Sequence, residues 1–154
     1  MSNKDKIIEI LKNKKAYFQY SVVESMEAGI VLLGTEVKSL RNRNANFQDS
    51  FAKLKNGEVW LVNLHIGKYK HGNINNHEPL RDRKLLLSKR EIRRLTGKTK
   101  EKGLTLVPLS FYLKRGLIKV KLGLCKGKKL YDKRETIAKR DTKRDVERQM
   151  KDYK

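Results

Sequence analysis

The fold of this chain is decided by one stretch, Glu27-Ala-Gly-Ile-Val-Leu-Leu-Gly-Thr-Glu-Val-Lys-Ser-Leu-Arg41. Its apolar run from Ile30 to Leu33 is short and rich in β-branched residues, which favours a buried strand. A Gly-Thr pair interrupts the run, and Thr35 is expected to cap a short helix. Lys38 and Arg41 lie three residues apart on that helix, so they share a face that can meet phosphate groups. The stretch therefore predicts a core strand, a sharp turn and a cationic helix.

Further short runs predict the remaining strands. Aromatic and β-branched residues dominate from Tyr17 to Val23, which favours a strand. Asn56-Gly57 joins the apolar runs 47–54 and 58–64, and this dipeptide is the strongest short-range signal of a β-hairpin. Apolar runs over 104–109 and 117–124 predict two more strands. The pattern indicates a mainly β fold, an OB-like antiparallel barrel of about six strands with two or three short helices.

The last predicted strand has two chemically different faces. Ile118, Val120 and Leu122 alternate with Lys119 and Lys121. The apolar side chains are therefore expected inside the barrel and the lysines outside it. A barrel wall with outward lysines is suited to bind RNA.

Three other segments are less regular. Ser2-Asn-Lys-Asp5 has the pattern of a capping box, so residues 1–15 are expected to form a helical turn or a flexible arm. Ser88 is expected to cap a helix that reaches Leu95 and ends at Gly97. The stretch from His65 to Arg83 is long for a loop, which argues for a function.

The charge of the chain indicates its class of partner. Lys and Arg number 38 against 17 Asp and Glu, a formal net charge of +21 with a pI near 10.2. A positive charge of this size favours binding to a polyanion. Nucleic acid is a better candidate than a membrane surface, because the sequence has no long amphipathic or membrane-spanning segment. The N-terminus lacks the apolar core of a signal peptide, and the single Cys125 cannot form an internal disulfide. A cytoplasmic location is expected.

Composition changes after Cys125 and predicts two parts, a barrel over 1–125 and a basic tail over 126–154. The tail holds twelve basic and six acidic residues and too few apolar ones to bury a core. On a helix, Arg140, Arg144 and Arg148 would form a ridge of like charge, so the free tail is expected to be disordered. Neutralisation by a track of phosphate groups would let it become helical.

The sequence does not predict an enzyme, a cofactor or a metal. Glu36-Val37-Lys38 matches only half of a metal-dependent nuclease site, and no upstream strand Asp completes it. The three histidines, His65, His71 and His77, are six residues apart and are expected at the surface or facing RNA. Cys125 has no companion that would make it a nucleophile, which favours a structural role.

Eight short motifs of the chain stand in the order found in SmpB, small protein B, and together they resemble that family. They are Glu27-Ala-Gly-Ile, Gly34-Thr-Glu-Val-Lys-Ser-Leu-Arg41, Asn63-Leu-His-Ile, Gly72-Asn, Asn76-His, Arg81-Asp-Arg-Lys-Leu-Leu-Leu87, Lys126-Gly-Lys-Lys and Asp132-Lys-Arg134. The resemblance implies an OB-like barrel that grips the tRNA-like domain of transfer-messenger RNA. It implies delivery of that RNA to stalled ribosomes in trans-translation, with the tail entering the decoding region and the mRNA path.

The resemblance also implies residue roles. The tRNA-like domain would be held by Glu27, Arg41, Leu86, Ser88 and Lys119, and the basic residues Lys38, Arg83, Lys84 and Lys121 are expected to add phosphate contacts. The family often has Asn where this chain has Ser88, and a hydroxyl replaces only part of an amide's hydrogen bonding. The carboxylate of Glu27 cannot bind a phosphate group, because both are negatively charged. Glu27 is therefore expected to accept hydrogen bonds from a base edge or to hold an arginine side chain in position.

The tail residues expected to face the ribosome form one group. Tyr131 is expected to stack on a base, and the other members are Lys126, Lys128, Lys129, Asp132, Lys133, Arg134, Arg140, Arg144, Arg148 and Met150. The elongation factor that delivers aminoacylated tRNA is a further expected partner. The protein is expected to be a monomer. Two alternatives stay open: a ribosomal protein or RNA chaperone for structured RNA, and a metal-dependent nuclease.

Overall fold

The computed structural model describes residues 6–70, 75–101 and 103–128. The elements, in chain order, are β1 (Ile7–Lys12), α1 (Lys14–Gln19), β2 (Tyr20–Ile30), α2 (Gly34–Arg41), β3 (Ala45–Asn46), β4 (Phe51–Lys55), β5 (Glu58–Val62), β6 (His65–Ile66), β7 (Arg83–Leu86), α3 (Lys89–Thr99), β8 (Leu104–Lys114) and β9 (Leu117–Gly127). The expectation of a mainly β chain with up to three short helices is confirmed.

Six strands close into an antiparallel barrel. The order of the main sheet is β1-β8-β4-β5-β7-β2-β9, and β9 pairs again with β8, so the ring closes without β1, while β3 and β6 pair in a separate two-stranded sheet. Two tight hairpins, β4–β5 and β8–β9, form part of this ring. Asn56 and Gly57 between β4 and β5, and Arg115 and Gly116 between β8 and β9, all have positive φ angles. Two such residues give the turn whose twist matches paired strands, as predicted for Asn56-Gly57.

The core lies inside the barrel, where alternate residues of each strand point inward. Val59, Leu61 and Leu122 are fully buried, and the helices contribute Leu40 of α2 and Leu95 of α3 to the same cluster. Burying a side chain of this size contributes about 1.5–3 kcal/mol. The predicted alternation of β9 is confirmed, because Ile118 is half-buried, Val120 and Leu122 are buried, and Lys121 between them is exposed.

The structure corrects the prediction of a buried strand from Ile30 to Leu33. Strand β2 ends at Ile30, and Leu33 is 46% exposed. Leu33 is the N-cap of α2, and its N–H donates to Glu36 Oε1 at 2.8 Å. Thr35 is therefore not the cap but lies inside the helix. The Glu36 carboxylate, three residues after the cap, reaches back to the backbone N–H of Leu33, which is one half of a capping box.

The N-terminal predictions were also wrong in part. The residues of the proposed capping box lie outside the described residues, but Ile7 to Lys12 form strand β1 on the edge of β8 rather than a helix or an arm. Helix α1 occupies part of the expected strand from Tyr17, because Asn13 Oδ1 accepts from Ala16 N–H at 3.1 Å and caps a helix there. The strand itself begins at Tyr20.

Two boundaries differ from those predicted. Ser88 does cap α3, with its Oγ accepting from Glu91 N–H at 3.1 Å, but the helix continues through Gly97 to Thr99. A single glycine costs a helix about 1 kcal/mol, which the packing of Leu95 outweighs. Strand β9 continues past Cys125, and Lys126 pairs with Ser21. The barrel therefore reaches at least Gly127.

Candidate nucleic-acid interface

Three neighbouring strands bring the predicted RNA-binding residues of the barrel together. Across the β2–β9 pair, Glu27 lies opposite Lys121 and Gly29 lies opposite Lys119. Gly29 also pairs with Leu86 of β7. One row of the wall therefore runs from Lys119 across Gly29 to Leu86. We call this surface of β9, β2 and β7 the lysine wall.

Glu27 is held in a network that keeps its carboxylate charged and oriented. Tyr112 of β8 donates its hydroxyl hydrogen to Glu27 Oε1 at 2.7 Å, and Lys114 Nζ lies 3.5 Å from Oε2. The hydrogen bond from Tyr112, with the charges of Lys114 and Lys119, lowers the pKa of Glu27 below its usual range. The side chain is 38% exposed, so oxygen lone pairs remain for an outside donor.

A hollow beside the lysine wall offers apolar contact next to its charges. It is lined by side chains of four elements, among them Leu86 of β7, Val37 of α2, Leu117 and Lys119 of β9, around Gly29. Leu86 is 51% exposed, which is unusual for a leucine on a strand and leaves it free to contact a ligand. A side chain at position 29 would place its Cβ 3.1 Å from the Cβ of Leu86, which is closer than an ordinary van der Waals contact. Glycine at this position therefore lets Leu86 keep its observed position.

The predicted helix residues lie on α2 and at the start of α3. Lys38 and Arg41 of α2 are exposed, and the Lys38 ammonium lies 5.3 Å from the centre of the Tyr69 ring. Ser88 is exposed at the start of α3, where its hydroxyl oxygen already accepts one backbone hydrogen bond. That oxygen has one further lone pair and its hydrogen to offer to RNA.

The structure corrects the prediction for Arg83. Its side chain has no exposed surface, and Nε donates to Glu36 Oε2 at 2.5 Å while Nη1 donates to the carbonyl of Leu64 at 2.7 Å. Burial lowers the pKa of Arg83, and the bond to Glu36 opposes that effect. Arg83 is a structural cation that cannot meet a phosphate. Lys84, next along β7, is partly exposed and is paired with Glu58 at 3.1 Å.

Glu36 is a structural residue as well. Arg81 Nη2 also lies 2.5 Å from Oε1, so the carboxylate lies between two guanidinium groups with no exposure of its own. Its pKa is lowered: burial raises it, but the hydrogen bonds from Arg81, Leu33 and Arg83 outweigh that burial. This carboxylate has no free side for a metal ion. The Glu-x-Lys match therefore does not make a nuclease site.

The histidine prediction is wrong for His77. It is 3% exposed, with Nδ1 2.8 Å from Thr35 Oγ1 and Nε2 2.9 Å from the carbonyl of Ile66. It ties the long segment after β6 to α2. His71 lies outside the described residues. Within the described residues, no group of His, Cys, Asp and Glu side chains is arranged to hold a metal ion.

Two other predictions concern Cys125 and the tail. Cys125 is buried, and burial raises its pKa to about 11, which suits the structural role predicted for it. Of the tail group, Lys126 lies exposed on β9, and the backbone N–H of Lys128 donates to the carbonyl of Gln19 at 3.0 Å. Lys129 and all later members of the group lie outside the described residues, as does the prediction of a disordered tail.

Sequence reasoning missed Tyr112 and Arg81. Tyr112 lies in a strand, where tyrosine is a common residue and draws no attention. Its partner Glu27 is 85 residues away in sequence. Arg81 stands in a run of cations that reads as solvent-facing. Only a signal that pairs distant positions would have found either contact.

No helix among the described residues is long and apolar enough to cross a membrane.

Comparisons with known proteins point to one family. Residues 10–152 match the sequence model of the family described as SmpB protein. A chain of the solved structure "tmRNA-SmpB: a journey to the center of the bacterial ribosome" is 52% identical, with a TM-score of 0.67, over 79% of this chain and 86% of that chain.

Two relatives give the same result. The "SsrA-binding protein" of Desulfitobacterium hafniense (strain DSM 10664 / DCB-2) is 57% identical over 93% of this chain and 92% of its own length. That of Caldicellulosiruptor bescii is 56% identical over 99% of both chains. With a match of this extent along the sequence and in the fold, the chain belongs to the SmpB family.

Proposed function

We propose that the protein binds transfer-messenger RNA through its tRNA-like domain and delivers it to stalled ribosomes for trans-translation. The observation that carries the proposal is the lysine wall. Glu27, Leu86 and Lys119, three residues implied by family resemblance, lie on adjacent strands of one surface. Relatives named for SsrA binding and a solved tmRNA–SmpB structure support the choice of RNA.

Each part of the wall has its own task in this proposal. Lys119, Lys121, Lys38 and Arg41 neutralise phosphate groups, and this supplies affinity without sequence preference. Glu27 accepts from a base amino or imino group, which only some bases present at a given position. Leu86 packs against a sugar or base in the hollow. Ser88 adds one hydrogen bond at the start of α3.

The tail completes the proposal. The chain after Lys128, together with Lys126 and Lys128 at the end of the barrel, forms the ribosome-binding part, and its basic residues follow the decoding region and the mRNA path of the small subunit. The tail becomes helical there because phosphate groups neutralise its arginine ridge. Lys126 belongs to the barrel in structure and to this ribosomal group in function.

The wider setting follows from that role. The protein acts as a monomer in the cytoplasm, beside the ribosome and the elongation factor that delivers aminoacylated tRNA. It works by binding rather than by catalysis, since the Glu36 carboxylate of the nuclease match is occupied by Arg81 and Arg83.

Competition binding tests the choice of RNA. Labelled tRNA-like domain is bound to the full chain and displaced by the unlabelled domain or by bulk tRNA. We expect displacement by the unlabelled domain at far lower concentration than by bulk tRNA. Equal displacement by both would indicate a general binder of structured RNA, such as a ribosomal protein or an RNA chaperone.

A further inference from the structure

The outer face of the β4–β5–β7 sheet carries Trp60, the only tryptophan of the chain, between two lysines. Trp60 lies opposite Lys53 of β4 and opposite Lys84 of β7. Its neighbours in sequence, Val59 and Leu61, are buried in the core. Because side chains alternate along a strand, the Trp60 ring projects outward, and it is partly exposed.

A concave surface surrounds this ring. It is lined by Lys53, Lys55, Asn56, Glu58, Trp60 and Asp82. Asn56, in the turn that leads the chain from β4 back into β5, forms part of this lining. We call this surface the tryptophan hollow. It is separate in its lining from the hollow beside the lysine wall, with which it shares no residue.

Lysines outnumber acids by one in and beside the tryptophan hollow, where Lys53, Lys55 and Lys84 stand against Glu58 and Asp82. Glu58 forms an ion pair with Lys84 at 3.1 Å. The other charged residues of the lining are Lys53, Lys55 and Asp82. Among the described residues, the lysines that lie over aromatic rings are Lys12 over Tyr17 and Lys38 over Tyr69. The face of the Trp60 ring is thus not covered by an ammonium group.

An open indole beside two lysines fits one nucleotide well. Indole stacks on any base, the lysines meet the flanking phosphates, and the Asn56 amide can reach a base edge. We propose that the tryptophan hollow is a second RNA contact, in which Trp60 stacks on an unpaired base of the bound RNA. This inference rests on the proposed function, because the RNA is the one held at the lysine wall.

The sheet geometry links the two contacts. Leu86 of the lysine wall and Lys84 beside Trp60 lie two residues apart on β7, so both project from the same face of the strand. Trp60 is thus separated from Leu86 by one strand spacing, about 4.8 Å, and two residues, about 6.8 Å. An RNA strand that leaves the Leu86 side can therefore reach Trp60 without crossing the barrel.

The test uses Trp60 as its own probe. Because the chain has one tryptophan, its fluorescence reports this residue alone. The full chain is titrated with labelled tRNA-like domain, and binding is followed by the anisotropy of the RNA label while tryptophan emission and its quenching by iodide are recorded. We expect emission to fall as RNA binds and iodide quenching to weaken at saturation. RNA binding with unchanged emission and iodide access would overturn the inference.

Two variants separate stacking from folding. Trp60→Phe keeps an aromatic face and should bind within about threefold of the native chain, whereas Trp60→Leu keeps an apolar side chain and should bind about five- to a hundredfold more weakly. Thermal unfolding is measured for both. Equal affinity of the Leu variant and the native chain overturns the inference, whatever the change in melting temperature.

Two further arms keep the result separate from the proposed function. If the tRNA-like domain does not bind at all, the proposed function fails, and an unstructured single-stranded oligonucleotide decides the stacking site by the same fluorescence measurement. A polyglutamate peptide of equal charge tests a protein partner. If that peptide quenches Trp60 as strongly as the oligonucleotide, the hollow is an acidic-peptide site and the inference is overturned.

Discussion

Tyr112 and Glu27, 85 residues apart in sequence, are joined by a 2.7 Å hydrogen bond that reaches from β8 into the lysine wall. The bond spans β9, whose Lys119 pairs with both Tyr112 and Gly29, two residues from Glu27. It fixes one oxygen of an exposed carboxylate amid lysines. Without it, Glu27 would be free to turn toward those lysines and away from RNA.

This relationship predicts that Tyr112 positions Glu27. Tyr112→Phe removes only the hydroxyl and should weaken binding of the tRNA-like domain about three- to tenfold, while Glu27→Ala should weaken it about ten- to a hundredfold. In a double-mutant cycle, Tyr112→Phe should have no further effect once Glu27 is Ala. The affinities are measured by RNA anisotropy at one salt concentration.

Tyr20→Phe serves as the matched control, because Tyr20 lies at the opposite end of β2 from Glu27 and packs against the buried cluster around Ala16 and Cys125. Additive losses in the cycle would mean that Tyr112 acts on RNA by itself. A collapsed melting temperature of Glu27→Ala would mean that this carboxylate is structural.

The second prediction concerns salt. If six to ten cations displace counterions, the affinity for RNA should fall about 10³- to 10⁵-fold between 50 and 200 mM salt. Lys119→Gln and Lys121→Gln should each reduce the slope of log affinity against log salt by about 0.7–0.9. The same change at Arg83 is not informative, since its side chain is buried. A flat salt response would contradict the phosphate contacts assigned to the lysine wall.

The third prediction concerns acid stability. The pKa of Glu36 is lowered from its ordinary value of 4.5, so the charged form stabilises the fold. That stability is fully present above pH 4.5 and is lost as the pH falls through the lowered folded-state pKa. Glu36→Gln leaves Arg83 buried without its charge partner and should lower the free energy of unfolding at pH 7 by about 3–5 kcal/mol.

Chemical denaturation over a range of pH checks this. The Glu36→Gln variant should also show a flatter loss of stability toward acid pH. Glu58→Gln is the matched control, because Glu58 is paired with Lys84 near the surface and should contribute about 0–1 kcal/mol. Equal losses at the two positions would contradict the structural role of the Glu36 pair.

The fourth prediction separates barrel from tail. The cut belongs after Lys128 rather than after Cys125, because Gly127 pairs with Tyr20 and Lys128 N–H bonds to Gln19. It removes ten basic and six acidic residues, so the barrel keeps +17 of the formal +21. The tRNA-like domain should bind with less than about tenfold loss, since the lysine wall is intact. Tagging of stalled nascent chains should be abolished.

Tagging in a reconstituted translation system is the readout. If the shortened protein still supported tagging, the division of labour would be wrong. Amide shifts of the free full chain provide a second check, because residues beyond the barrel are expected to show random-coil values.

What could be predicted from the sequence was local. The alternation of β9 placed Lys119 and Lys121 outside the barrel, and Asn56-Gly57 gave the hairpin, because both signals lie within a few neighbouring residues. The failures were long-range. Arg83 reads as one cation in a basic run, yet its charge is matched by Glu36, 47 residues earlier. Such pairs carry no local signal.

The same reasoning explains the misread start of α2. An apolar run such as Ile30 to Leu33 predicts burial, but the strand ends when its pairing with β7 ends, and that depends on where β7 lies. Where a motif set the position of a candidate residue, as for Glu27 and Leu86, the structure places the residues on neighbouring strands, and their roles toward RNA stay predictions. Tyr112 was missed, because its contact with Glu27 depends on the pairing of β9 with β2, which are far apart in sequence.

The most direct test of the central claim is to identify the RNA that the protein holds in cells. The full chain and its Glu27→Ala, Lys119→Gln double variant are each captured from cells at matched expression, and the bound RNA is sequenced. The account predicts that transfer-messenger RNA is enriched far above its cellular abundance by the native chain and that the double variant loses most of this enrichment. Recovery of tRNA and ribosomal RNA in proportion to their abundance, with no difference between the two proteins, would contradict it.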